Sequence, residues 1–131
     1  MSEAPVTREG QVGRVVYIGV APNEDLVSAV EAVCRERGIL HAFVRGGLGS
    51  LAQAALRGPS GEVRTLEGVA VEVLGLSGEV RADAGGAASA LLDAIAVDPQ
   101  GQVLGGRLVA GGNPVFATFE VTLEEWLPRA G

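Results

Sequence analysis

The amino-acid sequence predicts an α+β fold in which an antiparallel β-sheet of six or seven strands packs on one main α-helix. Most apolar residues fall in short runs rich in valine, leucine and isoleucine, a composition that favours strands. A single segment near the start has apolar residues at the three-to-four-residue spacing of a helix. Strand-like and helix-like segments do not alternate, so the pattern favours an antiparallel sheet over a series of βαβ units.

The polar segment at residues 1–11 is predicted to be flexible, and residues 12–126 are predicted to form one domain. Val12 to Val20 has the β-branched and aromatic residues of a strand. No internal repeat and no linker divides the chain, so all its predicted strands should belong to one sheet.

The helix is predicted to follow the first strand directly. Asn23 is the expected N-cap, with Glu24 and Asp25 in the first turn, where negative charge is favourable. Gly38 is expected to end the helix, because glycine readily adopts the left-handed backbone conformation of a C-terminal cap. One apolar face follows from residues at helical spacing, namely Leu26, Val27, Val30, Val33 and Cys34.

Two glycine clusters, each with an arginine, interrupt the strand-like runs. The first is Arg45-Gly46-Gly47-Leu48-Gly49-Ser50, which is predicted to be a turn between strands at Ile39–Val44 and Leu51–Leu56. The second is Gly105-Gly106-Arg107-Leu108, followed closely by Gly111-Gly112-Asn113. Glycine within a strand pattern marks a bulge, a bend or the close approach of another backbone or a ligand. The clusters therefore indicate either a ligand site or a contact between subunits.

The remaining segments predict a series of antiparallel strands. Arg57 to Gly68 is polar and is expected to be a connection, and Asp98-Pro99-Gln100-Gly101 is a tight-turn signal. Ala84 to Val97 is ambiguous, since its alanines and leucines also favour a helix; we interpret its second part as a hairpin arm. The predicted strands are Val69–Val80, Ser89–Val97, Gln102–Val109 and Val115–Leu123.

Charge and composition exclude several functional classes. The net charge is −6, and the ten basic residues, all arginine, are scattered rather than clustered, which disfavours independent binding of nucleic acid. Cys34 is the only cysteine, so an intrachain disulfide and a CxxC metal site are both excluded. Met1 to Pro5 does not resemble the start of a signal peptide and no apolar run is long enough to span a membrane, so we expect a cytoplasmic protein without membrane contact.

No catalytic signature stands out among the residues that could carry chemistry. His41 is the only histidine and has no nucleophile or orienting acid nearby in sequence, which favours a structural or surface role. No serine lies in a Gly-x-Ser-x-Gly elbow, and Cys34 lies on the apolar helix face, where cysteine acts as a small hydrophobic residue. The glycines at 46–49 are not followed by the helix that a dinucleotide fingerprint requires.

Taken together, the segments from about Arg14 to Glu124 resemble the plant and prokaryote conserved (PPC) domain, which also occurs in AT-hook motif nuclear-localised proteins. Each segment alone is a weak signal, but their order and spacing are specific. The segments that carry the resemblance are Ala21-Pro22-Asn23-Glu24-Asp25-Leu26, Val44 to Leu51, Val71 to Gly78, and Asp98 to Leu108.

The resemblance implies a single antiparallel sheet with a helix and assembly into a homotrimer. In the plant proteins a separate AT-hook grips DNA, and no such Arg-Gly-Arg segment occurs here. Many prokaryotic relatives carry three histidines that suit a metal ion, and the matching positions here are Leu91, Asp93 and Arg107. These residue types do not form a metal site, so no metal and no other cofactor is expected.

Asp93 and Arg107 are predicted to face each other across the hairpin, because each lies about seven residues from its turn. Arg45 and Arg107 are the preferred candidates for binding an anion, since a guanidinium recognises carboxylate or phosphate; the competing interpretation is an ion pair between subunits. The candidate residues for ligand binding or subunit contact are Arg45, Gly46, Gly47, Gly49, Ser50, Asp93, Arg107 and Asn113.

Two functions remain open from sequence. The first is a non-enzymatic, homotrimeric assembly or regulatory domain that lacks a DNA grip of its own. The second is a small binder of anionic ligands, or an enzyme, using a cleft between subunits lined by Arg45 and Arg107. The scarcity of catalytic residue types favours the first. The expected partner is the chain itself, and another protein or a small anionic ligand is the further partner considered.

Overall fold

The computed structural model describes residues 4–129, so the expectation of flexibility at residues 1–3 lies outside the described residues. One helix and six strands are present in the described part of the chain, which confirms the predicted α+β class. In chain order the elements are β1 (Gly10–Val20), α1 (Leu26–Arg37), β2 (His41–Arg57), β3 (Val63–Ala82), β4 (Ala88–Val97), β5 (Val103–Leu108) and β6 (Val115–Pro128).

All six strands belong to one antiparallel sheet with the order β1-β6-β2-β3-β4-β5. The far end of β2 also pairs with β5, where Leu56 lies opposite Leu108 and Arg57 opposite Arg107. Because β2 contacts β3 on one side and β5 on the other at this end, strands β2 to β5 curl into a partly closed barrel. The edge of β1 is left without a neighbouring strand among the described residues.

The helix forms where it was predicted, but its N-cap differs. Asp25 is the cap, and its carboxylate accepts a hydrogen bond from the backbone N–H of Ser28 at 2.9 Å. Asn23 instead has a φ of 71° in the preceding turn, and no acidic residue lies in the first helical turn. The expected cap at Asn23 was therefore wrong by two residues. The C-terminal cap at Gly38 is confirmed, with a φ of 65°.

The first glycine cluster does not separate two strands. β2 runs without interruption from His41 to Arg57, because β3 and β6 supply pairing partners on both sides of the cluster. The glycines are accommodated by register shifts against β6 between Val44 and Gly46 and between Gly49 and Leu51. The predicted turn at this cluster is thus wrong, and the feature is a bulged part of one long strand.

Other strand ends extend beyond the predicted bounds. β3 begins at Val63, so the expected polar connection shrinks to a short hairpin loop after Arg57. β1 begins at Gly10 and β6 continues to Pro128, and these two residues pair with each other. The predicted strand at 89–97 and the turn after it are confirmed, and Asp98 accepts hydrogen bonds from the backbone N–H groups of Gln100 and Gln102.

The helix packs against one face of the sheet, here called the inner face, chiefly against β4. Its apolar side joins inward-facing strand residues in a single hydrophobic core. Residues that are almost fully buried in this core include Leu26, Val30, Cys34, Leu92, Phe119, Val121 and Leu123. The inner face is therefore filled from within the chain.

An ion pair ties the end of the helix to the sheet. Glu125 is buried and accepts hydrogen bonds from both the backbone N–H and the guanidinium of Arg14 at 2.9–3.0 Å. The same guanidinium donates to the carbonyl of Arg37 in the last helical turn at 2.9 Å. These hydrogen bonds lower the pKa of Glu125 to about 2.

Candidate functional site

The side of the sheet opposite the helix, here called the outer face, can be followed residue by residue from the strand register. Residues directly opposite each other on antiparallel strands share a face, and residues two apart on one strand do so as well. One row crosses five strands, because Val15 lies opposite Glu124, Glu124 opposite Phe43, Phe43 opposite Glu79, and Glu79 opposite Leu91. The same register gives four further rows on this face. They are Tyr17, Thr122 and Gly46; Gly19, Glu120 and Leu48; Ser77, Asp93 and Arg107; and Gly75, Ile95 and Gly105.

Large apolar side chains on this outer face are open to solvent. Leu48 is 70% exposed, Tyr17 63% and Val15 57%. Ile95, Phe43 and Leu91 also expose between 43% and 51% of their surfaces. A contiguous apolar surface of this kind marks a place where another molecule binds.

At three glycines on the outer face, neither packing nor backbone conformation within the chain requires glycine. A Cβ atom added to Gly19, Gly46 or Gly75 would meet nothing within 4 Å, and none of the three has a positive φ. The single chain therefore has both the room and the backbone conformation for a side chain at each position. A close approach by another backbone is a physical reason for glycine there.

Asp93 and Arg107 lie opposite each other on β4 and β5, as the sequence predicted. Nε of Arg107 donates to Oδ1 of Asp93 at 2.6 Å, and both side chains are about half exposed, Arg107 at 45% and Asp93 at 49%. The pKa of Arg107 is raised, first by this hydrogen bond. Asp93 borders a hollow of about 450 Å³ whose lining includes Gly75, Gly105 and Gly106. Asp93 and Arg107 together border a second hollow of about 430 Å³ beside Phe43 and Leu91.

Two other carboxylates in these rows, those of Glu124 and Glu79, also have partners within the chain. Nη1 of Arg45 donates to Oε1 of Glu124 at 2.8 Å. Oε2 of Glu79 accepts from Nε of Arg81 at 3.0 Å and lies 2.9 Å from Nε2 of His41. These bonds lower the pKa of Glu79, with His41 the larger contributor.

Glu120 completes the set of carboxylates in the rows. The nearby Glu120 carboxylate is the first cause of the raised pKa of the Tyr17 phenol. Among the described residues, no arginine is paired with Glu120. Three of the four carboxylates in the rows, those of Glu79, Asp93 and Glu124, are therefore paired with an arginine inside the subunit. A face whose charges are mostly paired can be buried against a protein at a smaller electrostatic penalty than one with only free charges.

The residues at positions 91, 93 and 107, for which the resemblance implies metal ligands in some relatives, do not fit a metal ion here. Leu91 offers no donor atom, and the guanidinium of Arg107 occupies the carboxylate of Asp93. In the part of the chain that is described, residues 4–129, there is no group of three or more His, Cys, Asp or Glu side chains that could hold a metal. The donor chemistry of this corner of the sheet is that of an ion pair.

The first glycine cluster has two sides with different surroundings. A Cβ atom on Gly47 would lie 2.5 Å from Cδ2 of Leu76, and one on Gly49 would overlap the backbone at Thr118. Ser50 is buried. Gly47 and Gly49 are therefore required by packing inside the subunit, whereas Gly46 alone of these glycines faces open space.

Asn113 forms hydrogen bonds inside the subunit and does not reach the outer face. It is fully buried; its Oδ1 accepts from the backbone N–H of Ala55 at 2.8 Å and its Nδ2 donates to the carbonyl of Val109 at 2.6 Å. Its own backbone N–H donates to the capping carboxylate of Asp25 at 2.9 Å. Among the described residues, Asn113 lines neither hollow beside Asp93.

Cys34 and His41, both considered in the sequence analysis, lie in environments that suit a structural role. Cys34 is fully buried, and burial raises the pKa of its thiol to about 11, which suits a core position. The His41 ring lies 4.8 Å from the Phe43 ring, centroid to centroid, at 51°.

Sequence reasoning missed the contribution of Phe43 and Glu79 to the outer face. The signal for them was the alternation of apolar and polar residues within the second and third strands. That alternation was obscured by the glycine cluster, which was interpreted as a break.

The sequence from residue 7 to residue 127 matches the model of the Plants and Prokaryotes Conserved (PCC) domain. The chain belongs to this family. Residues 7–127 include the helix, all of the outer-face rows and the Asp93–Arg107 pair. Among curated proteins, none matches this sequence.

Solved structures share this PCC fold. A plant- and prokaryote-conserved protein from Pyrococcus horikoshii is 25% identical with a TM-score of 0.78, covering 97% of this chain and 87% of its own. The metal-containing protein AF0104 from Archaeoglobus fulgidus is 24% identical, with a TM-score of 0.75 and coverage of 96% and 89%. A candidate DNA-binding protein from Bacteroides thetaiotaomicron is 18% identical, with a TM-score of 0.73 and coverage of 91% and 82%.

These likenesses confirm the predicted family and fold. The two neighbours below 25% identity support the fold alone, so the metal of one and the DNA of the other remain properties of those proteins. Within residues 4–129, no helix has the length and apolar character needed to cross a membrane.

Proposed function

We propose that this PCC domain is a non-enzymatic assembly domain with a regulatory role, which forms a homotrimer in the cytoplasm. It has no DNA-binding segment of its own in this proposal. The observation that carries the proposal is the outer face, which is apolar and exposed and whose carboxylates Glu79, Asp93 and Glu124 are paired within the chain. The helix covers only the inner face, so the single chain leaves this surface to solvent. Other copies of the same chain are the partners that the family resemblance implies.

The open glycines support an interface between copies. A Cβ atom added to Gly46 or Gly75 would meet nothing within 4 Å in its own chain. If a second subunit lies against them, its backbone can approach more closely than over any other residue type. This explains glycine at positions where a lone chain would accept alanine.

Light scattering coupled to gel filtration tests the assembly. We expect a mass of three times the 13.3 kDa of one chain at micromolar concentration. The double variant Gly46→Ala/Gly75→Ala should fold and lose the trimer, because its added methyl groups project only from the outer face. Val6→Glu, at a residue that is 87% exposed outside the sheet, is a control for a change of surface. A wild-type chain with the mass of a monomer contradicts the proposal.

Weak affinity for DNA is part of the same proposal. The net charge is −6, and of the arginines on or beside the outer face, Arg45, Arg81 and Arg107 are each bonded to a carboxylate. Non-specific binding to duplex DNA depends on free cations that neutralise phosphates. We expect no binding at micromolar concentration near physiological salt, about 150 mM, in a fluorescence anisotropy titration.

The alternative of a small anionic ligand at Arg45 and Arg107 has less support. Both guanidiniums already have a carboxylate partner at 2.6–2.8 Å, and an anion would have to displace it. A thermal-shift screen of anionic metabolites tests this alternative. Stabilisation that disappears in Arg107→Ala would favour a ligand-binding function.

A further inference from the structure

A cavity of about 400 Å³ lies at the end of the sheet where α1 and β6 both end and β2 begins. We propose that this cavity binds a small aromatic carboxylate, with Arg8 as the residue that recognises the carboxylate group. The inference goes beyond the proposed assembly and does not depend on it, because residues of a single chain form the walls of the cavity.

The walls of the cavity are largely apolar. Leu40, which is 67% exposed, and Leu127, which is 39% exposed, line it together with Pro128 and Trp126. Small-molecule sites are typically concave, with a volume of about 300–1,000 Å³, apolar and aromatic walls and a few polar groups that orient the ligand. This cavity fits that description. A ligand with an apolar body would remove exposed leucine surface from water, which favours binding.

Two aromatic rings of the cavity are held in place by contacts within the chain. The indole of Trp126 packs over the backbone of Gly10, where an added Cβ atom would come within 2.6 Å of two ring carbons. Nε2 of His41 lies 2.9 Å from Oε2 of Glu79, and its ring packs on Phe43. Rings that are fixed before binding offer stacking surfaces at little cost in side-chain entropy, which favours an aromatic ligand.

The charged side chains at the cavity favour an anion. The carboxylate of Glu125 lines the cavity, but both of its oxygens accept hydrogen bonds from Arg14, so its charge is compensated. Arg8 is exposed, and no carboxylate of residues 4–129 is paired with it. A guanidinium binds a carboxylate through two parallel, charge-assisted hydrogen bonds. Arg8 is therefore the cation at the cavity that is available to a ligand carboxylate.

The end of α1 beside the cavity does not oppose an anion. Unpaired carbonyl groups give the C-terminal end of a helix a partial negative charge. Here the carbonyl of Arg37 accepts from the guanidinium of Arg14 at 2.9 Å, and that of Arg35 accepts from the N–H of Gly38 at 3.3 Å. The side chains of Arg35 and Arg37 also place positive charge in the last helical turn. These groups offset the negative end of the helix.

The only tryptophan of the chain lies in the cavity, so its signal reports on this site alone. The probe is cinnamate, and its neutral amide, cinnamamide, is the matched control ligand. The indole N–H resonance of isotope-labelled protein follows the titration, and isothermal titration calorimetry measures the dissociation constant. We expect saturable binding of cinnamate with a shift of the Trp126 resonance. Cinnamamide should bind at least about tenfold more weakly, because it lacks the charge that Arg8 recognises.

Arg8→Gln removes the proposed carboxylate contact, and Arg64→Gln is its matched control. Both arginines are exposed, and Arg64 lies at the opposite end of β3 from the residue that pairs with His41. Arg8→Gln should weaken cinnamate binding at least about tenfold and leave cinnamamide binding unchanged, whereas Arg64→Gln should bind both ligands as wild type does. Leu40→Glu, which places a negative charge in the cavity, should abolish cinnamate binding. Circular dichroism verifies the fold of each variant.

Several results would overturn the proposal. Absence of saturable cinnamate binding at millimolar concentration, or an unmoved Trp126 resonance, would show that the cavity is not a site for such ligands. Equal affinity of wild type for the acid and the amide, a test that needs no variant, would overturn the role of Arg8. Equal weakening by Arg8→Gln and Arg64→Gln would attribute the effect to overall charge and would also overturn it. Light scattering measures assembly separately, so either proposal can fail while the other stands.

Discussion

Replacing Asn113 with alanine should destabilise the subunit without any involvement of a ligand. The side chain is fully buried and joins two segments, through the backbone N–H of Ala55 and the carbonyl of Val109. Alanine removes both hydrogen bonds and leaves both backbone groups without that partner.

The size of the effect follows from these two groups. A buried donor or acceptor left without a partner costs about 1–3 kcal/mol. Ala55 is only 6% exposed, so its N–H is poorly placed to find water and is left without a partner. The Val109 carbonyl keeps a hydrogen bond from the backbone N–H of Gly112 at 3.1 Å, so there only the one bond from Asn113 is lost. Such a loss costs about 1 kcal/mol in addition. We therefore expect Asn113→Ala to lower the free energy of unfolding by about 2–4 kcal/mol.

Urea denaturation followed by circular dichroism measures this loss. Wild type and variant must be compared at one protein concentration, because assembly makes apparent stability depend on concentration. Gln102→Ala is the matched control, since it shortens an exposed amide side chain and should change stability by less than about 0.5 kcal/mol. An Asn113→Ala variant within that same margin of wild type would refute the structural role and return Asn113 to the candidates for ligand binding.

Three further predictions concern the cluster glycines, acid stability and the exposed ion pair. Gly49→Ala should lose about 2 kcal/mol or more in urea denaturation because its Cβ would overlap backbone, whereas Gly46→Ala should leave subunit stability within about 0.5 kcal/mol. The pKa of Glu125 lies near 2 in the folded state against an ordinary 4.5, so its stabilisation is complete above pH 4.5 and is lost as the pH falls toward 2. Glu125→Gln should flatten this part of the pH profile of unfolding, and an unchanged profile would contradict the assignment. In the isolated subunit, Arg107→Ala should cost at most about 1 kcal/mol, because the pair with Asp93 is half exposed, and neither zinc nor EDTA should move the melting temperature of wild type.

Local patterns in the sequence determined the elements whose partners are close along the chain. The helix from Leu26 to Arg37 follows from apolar spacing and from a glycine at its end. The β4–β5 hairpin follows from Asp98-Pro99-Gln100-Gly101, and the short loop places Asp93 opposite Arg107 by counting alone. The family could also be predicted from the sequence, because the resemblance depends on the order and spacing of short segments along the chain.

Tertiary structure alone decided the features that depend on distant partners. β2 is continuous through its glycines because β3 and β6 pair with it on both sides, and no local signal reports those strands. The same partners determine that Gly49 is packed against Thr118 whereas Gly46, three residues earlier, is open. Which residues favour strand, helix or turn follows from local sequence, since these preferences act over a few residues. Which face each strand residue occupies, and what lies against it, was decided by long-range register, because a shift of one residue moves every side chain to the opposite side of the sheet.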